Sequence, residues 1–78
     1  MNQLMTGKFI SQKRKEKNLT QEQLAEKLGV SNKTVSKWET GKCMPDYSVV
    51  KNLCEELGIT VAELMDGEAT DEKSVRTY

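Results

Sequence analysis

Residues 31–42 read SNKTVSKWETGK. This helix-length stretch holds one β-branched apolar residue, Val35, the chain's only tryptophan, Trp38, several lysines, and a run of serine, asparagine and threonine. At ~100° per helical residue, with Asn32 at zero, Val35 falls near ~300°, Trp38 near ~240° and Glu39 near ~340°. Val35 and Trp38 therefore define a buried side centred near ~270°, with Glu39 beside it. Opposite, near ~90°, lie Lys33, Thr40, Ser36 and Lys37, an outer face of two cations and two hydroxyls. Asn32 stands at the helix start, where a helix entering a groove end-on presents it.

Those residue types suit the edges of DNA bases. Lysine donates to guanine O6 and N7, asparagine pairs with adenine N6 and N7, and serine and threonine donate or accept. A solvated helix face has the same composition, so the face alone leaves both readings open. The preceding residues narrow the choice. Thr20-Gln21-Glu22-Gln23 forms a capping box, in which the Thr20 hydroxyl accepts the Gln23 amide and Gln23 reaches back. Leu24, Ala25 and Leu28 then share one face, and Gly29 ends the helix as a residue able to take positive φ. One residue later Ser31 is a good N-cap. Two helices joined by a glycine-containing turn across residues 20–41 are the helix-turn-helix layout.

The rest of the chain reads as further short helices without strand signals. Roughly Thr6 to Lys17 makes a first helix, with Phe9 and Ile10 as its clearest apolar residues. Pro45-Asp46 opens a fourth, in which Val50, Leu53, Cys54 and Leu57 repeat at i, i+3, i+4 and i+7 before Gly58 closes it. Thr60-Val61-Ala62-Glu63 is a second capping box, followed by Leu64 and Met65. The expected fold is all-α, a five-helix bundle over residues 1–67, followed by a polar tail or linker over 68–78.

At 78 residues the chain fits one small domain with a modest core. No apolar run approaches the ~18 residues of a membrane span, and the start lacks a signal-peptide core, so the expected location is cytoplasmic. The net charge of zero hides an asymmetry: residues 1–45 carry nine Lys and Arg against four Glu, and residues 46–78 carry three against eight Asp and Glu. Such a split points to a polyanion-binding first half. There is no histidine, so no histidine-based nucleophile arrangement exists and an enzyme is not expected. Cys43 and Cys54 read as reduced thiols packing as small hydrophobes, with no metal site and no cofactor.

The segments LTQEQLAEKLGVSNKTVSKWETGK, MPD and LCEELGITVAELM closely resemble the lambda-repressor/Cro-like, or XRE-type, helix-turn-helix regulators over about residues 7–67. The resemblance implies a compact five-helix domain whose third helix reads DNA, with binding as a homodimer to a palindromic operator. Carried over position by position, it implies that Asn32, Lys33 and Lys37 meet base edges and that Gln21 contacts a phosphate. Ser36 and Thr34 would touch bases or backbone less regularly, and Arg14 and Glu39 would form a charged pair tying the first helix to the third. Ser31 and Lys42, at the two ends of the third helix, complete the expected contact set. Two positions depart from the pattern. Lys13 stands where leucine is common, its stem covering part of the loss. Trp38 is larger than the leucine of some relatives, with its body inward and its N–H near the rim, within reach of a phosphate.

The expected function is therefore sequence-specific regulation of transcription by repression, with double-stranded DNA as partner. An antitoxin that also binds a protein, or a protein-interaction module on the same fold, remain alternatives. Val61, Leu64 and Met65 are the expected pairing surface of the dimer, though the same residues equally suit the core.

Overall fold

The capping signals produce the breaks they predict. In the computed structural model, which describes residues 3–66, five helices follow one another. They are α1 (Gln3–Glu16), α2 (Gln21–Leu28), α3 (Asn32–Glu39), α4 (Tyr47–Leu57) and α5 (Val61–Asp66). At the start of α2, Thr20 Oγ1 accepts from the Gln23 N–H at 3.0 Å and Gln23 Oε1 accepts from the Thr20 N–H at 2.9 Å. The same reciprocal pair, Thr60 with Glu63, starts α5 at 3.0 and 2.8 Å. Gly29 ends α2 at φ 72° and Gly58 ends α4 at φ 69°, the left-handed conformation that costs glycine little. Asp46 stands at the N-cap of α4 but makes no side-chain capping bond.

α1 corrects the expected boundary. It starts at Gln3 rather than Thr6 and stops at Glu16. Thr6 lies inside the helix, fully buried, and its hydroxyl donates to the Leu64 carbonyl at 3.0 Å, tying α1 to the end of α5. Beyond α1, Asn18 takes φ 59° and the Leu19 N–H bonds back to the Arg14 carbonyl at 3.1 Å. Asparagine tolerates this conformation better than most residues.

The core collects Phe9 and Ile10 from α1, Leu24 and Ala25 from α2, Val35 and Trp38 from α3, Val50, Leu53, Cys54 and Leu57 from α4, and Leu64 from α5. Each large aliphatic side chain so buried stabilises by about 1.5–3 kcal/mol. Leu64 has 0% exposure, which removes it from the expected pairing surface. Its place opposite Thr6 is a non-local contact that helical periodicity does not reveal.

Lys13 is half-buried on α1. Its ammonium lies 5.6 Å from the Phe9 ring centroid and 3.2 Å from Glu16 Oε1. The cation over a ring face compensates in part for the missing leucine. The Gln12 amide, and then Lys13, hold the Glu16 carboxyl below its ordinary pKa. α3 packs chiefly against α1 and α2, so its seating depends on both. The expected boundary at residue 67 and the tail over 68–78 lie outside the described residues.

Candidate nucleic-acid interface

α3 begins where its cap dictates. Ser31 is extended, and its Oγ accepts from the Thr34 N–H at 3.2 Å. Val35 and Trp38 are buried, the latter 3% exposed, as the angular reading requires. Asn32, Lys33, Lys37 and Lys42 are exposed, whereas Thr34 and Ser36 are half-buried. Lys33, Lys37 and Lys42 take part in no ion pair among the described residues, in contrast to Lys27, which lies 3.9 Å from Glu56. Three ammonium groups without an ion-pair partner among the described residues thus gather on and just past the short helix that the core holds from its other side.

Two hydroxyls are engaged within the fold. Thr40 is exposed on the outer side, but its Oγ1 donates to the Ser36 and Lys37 carbonyls at 3.0 and 3.3 Å. Its proton therefore closes the end of α3 and does not point outward. The Thr34 hydroxyl lies 2.9 Å from Ser31 Oγ. Thr34 also borders a groove of about 430 Å³ shared with Leu28, Trp38 and Met44, on the flank of α3 rather than at the centre of its outer face. The indole N–H of Trp38 makes no hydrogen bond among the described residues. No buried polar side-chain atom among the described residues lacks a partner, so this N–H reaches the rim.

The charged pair is formed. Arg14 Nε donates to Glu39 Oε2 at 2.7 Å and Nη2 to Oε1 at 3.2 Å, while Nη1 donates to the Leu19 carbonyl at 2.7 Å. The side chains are only 11% and 6% exposed. Gln21 joins them, its Nε2 donating to Glu39 Oε1 at 2.9 Å. The family resemblance gives Gln21 a phosphate alone. The bond joins residues 18 apart through the crossing of α2 and α3, which helical periodicity does not reveal.

At the far end of α3, Gly41 turns at φ 78° and the Lys42 N–H bonds the Lys37 carbonyl at 2.9 Å. This pins Lys42 immediately beyond the helix. Cys43 and Cys54 are both free thiols. Burial, and then the charge of Glu63, raise the Cys54 pKa, which keeps that thiol protonated in the core. Among the described residues no cluster of three or more potential metal ligands occurs, and no helix is long and apolar enough to cross a membrane.

A helix-turn-helix whose second helix turns a buried seam inward and, outward, cations unpaired among the described residues defines the DNA-binding domain of a transcriptional regulator. The chain belongs to the helix-turn-helix family of XRE-type regulators, whose model matches residues 10–64. It is 48% identical over 59 residues to the HTH-type transcriptional activator BcrR of Enterococcus faecalis, covering 76% of this chain and 29% of that protein. It is 33% identical over 63 residues to the cryptic phage CTXphi transcriptional repressor RstR of Vibrio cholerae, covering 81% and 56%. Among solved structures, the P22 c2 repressor in complex with a synthetic operator superposes with a TM-score of 0.78 at 31% identity, covering 86% of this chain and all of that one. The chain thus spans less than two thirds of the two curated relatives.

Proposed function

We propose that the protein binds a specific DNA sequence by laying α3 in the major groove, and that it represses transcription by occupying a promoter. The observation that carries this reading is the set of lysines, unpaired among the described residues, on the exposed side of a helix whose other side is buried. Lys33, Lys37 and Asn32 read base edges, with Ser36 beside them. Gln21, Ser31, Thr34, the Trp38 N–H and Lys42 meet the backbone. Lys33 and Lys37 lie one turn apart, so both enter the same groove. Similar proteins include an activator and a repressor by name, so reporter output with the chain present or depleted decides the sign of regulation.

Base reading and backbone grip leave different signatures. Lys33→Ala or Lys37→Ala is expected to cost about 1–3 kcal/mol on the preferred duplex and to relax the choice at one base position. Lys42→Ala weakens all sequences alike and lowers the salt slope by about one. Titrations on preferred and scrambled duplexes at several salt concentrations separate the two. Equal losses on both duplexes for Lys33→Ala and Lys37→Ala sink the base-reading role. Gel shifts with and without the product of a neighbouring gene test the antitoxin alternative.

One recognition helix covers few base pairs, and two-fold pairing places half-sites about 34 Å apart. The proposed pairing surface is the end of the domain where Tyr47, 95% exposed, adjoins a groove of about 450 Å³ lined by Val50, Val61 and Met65. A projecting aromatic beside an apolar recess suits an isologous contact, in which each copy supplies both halves. The expected footprint is two inverted half-sites, and Tyr47→Asp is expected to weaken occupancy of the pair. A saturated footprint on a single unrepeated half-site counts against the dimer.

A further inference from the structure

We propose that Gln21 is a positioning residue: through Glu39 it couples the grip on the DNA backbone at the start of α2 to the seating of α3, and so influences which bases α3 prefers. The inference rests on the DNA-binding reading above. Facing a carboxylate, only the NH₂ end of the Gln21 amide can point at Glu39, and it does so at 2.9 Å. The same Glu39 oxygen accepts from Arg14 Nη2, and the other accepts from Nε. The remaining arm of Arg14 holds the Leu19 carbonyl just before the Thr20 cap. The residues on both sides of that cap are therefore tied to one carboxylate, and that carboxylate is the last residue of α3.

Gln21 is only half-buried, and its second amide N–H and its Oε1 have no partner among the described residues. That N–H belongs to the first residue of α2, where the cap satisfies by a side chain only the Gln23 amide among the first backbone N–H groups. A phosphate oxygen there meets the free N–H of Gln21 while the other N–H holds Glu39. Bonds in such a chain polarise one another, and their geometry is shared. The amide thus transmits the position of the phosphate to the end of α3, whose roll sets the direction of Lys33 and Lys37. A plain anchor at Gln21 would hold every sequence equally and leave base preference unchanged.

Gln21→Met keeps the length of the side chain and removes both hydrogen bonds, at a half-buried site, while Glu39 keeps both of its bonds from Arg14. The experiment measures its affinity for the preferred and a scrambled duplex, together with selection from a randomised pool. The preferred duplex is expected to weaken about tenfold, the size of one hydrogen bond to a charged group. The scrambled duplex should weaken distinctly less, and the selected pool should show flatter preferences at the positions read by α3. Nuclear magnetic resonance of the free wild-type chain supplies a readout independent of DNA. One Gln21 side-chain amide proton should lie downfield of those of Gln23, whose NH₂ has no partner among the described residues, and should be absent from the Gln21→Met spectrum. Parallel losses on both duplexes with an unchanged pool overturn the coupling while leaving DNA binding intact. Gln21 amide shifts matching those of Gln23 overturn it as well. A wild-type chain that binds no duplex overturns the DNA-binding reading and the coupling with it.

Discussion

Arg14→Met is expected to lower stability by about 3–5 kcal/mol, because it strands a carboxylate that is buried in the fold. Glu39 is 6% exposed at its side chain and accepts three hydrogen bonds, two of them from Arg14. Without the guanidinium, one neutral amide remains to solvate the charge, and the Leu19 carbonyl also loses its donor. Glu39→Gln is milder, since the glutamine oxygen still accepts from Arg14 and the remaining guanidinium keeps the Leu19 carbonyl. A domain of this size has only a few kcal/mol in total, so Arg14→Met should be largely unfolded at moderate temperature. The double variant leaves no buried charge and should cost less than the two single losses added together. Thermal and urea unfolding of all three variants give the cycle, and simple additivity would mean that the two groups do not act as a pair.

Much of this arrangement was legible because it is local. The angular reading of SNKTVSKWETGK needs only the helical period, and it placed Val35 and Trp38 inward, Lys33 and Lys37 outward and Glu39 at the seam. The two capping boxes need only three-residue spacing, and both form. The differences lie where residues distant in sequence meet. Thr6 reads as a helix start until its hydroxyl is seen on the Leu64 carbonyl, 58 residues away. Leu64 reads as surface or core with equal justice until α1 covers it. Thr40 falls on the outer face by angle, yet its rotamer turns the hydroxyl back onto α3. Of the candidate contacts, exposure of the lysines was readable from periodicity. The bond from Gln21 to Glu39 depends on how α2 crosses α3 and was not.

Gly7 presents the opposite case, a residue that looks weak in sequence and proves demanding in the fold. In the interior of α1, glycine is about 1 kcal/mol worse than alanine by intrinsic propensity, so a purely local argument makes Gly7→Ala stabilising. Yet a Cβ there would run into the Trp38 carbonyl oxygen and come within 2.9 Å of the Glu39 carbonyl oxygen. Both obstacles are backbone, so no rotamer change relieves them, and α1 and α3 would have to separate. Overpacking of this kind costs about 1–3 kcal/mol or more, enough to outweigh the propensity gain. Gly7→Ala is therefore expected to destabilise, with Lys8→Ala, an exposed site on the same helix, nearly neutral as the control. Because the obstructed carbonyls belong to the last turn of α3, DNA binding should fall even at temperatures where the variant remains folded. Urea unfolding decides the sign, and a Gly7→Ala variant more stable than the parent would mean that α1 and α3 do not cross as closely as described.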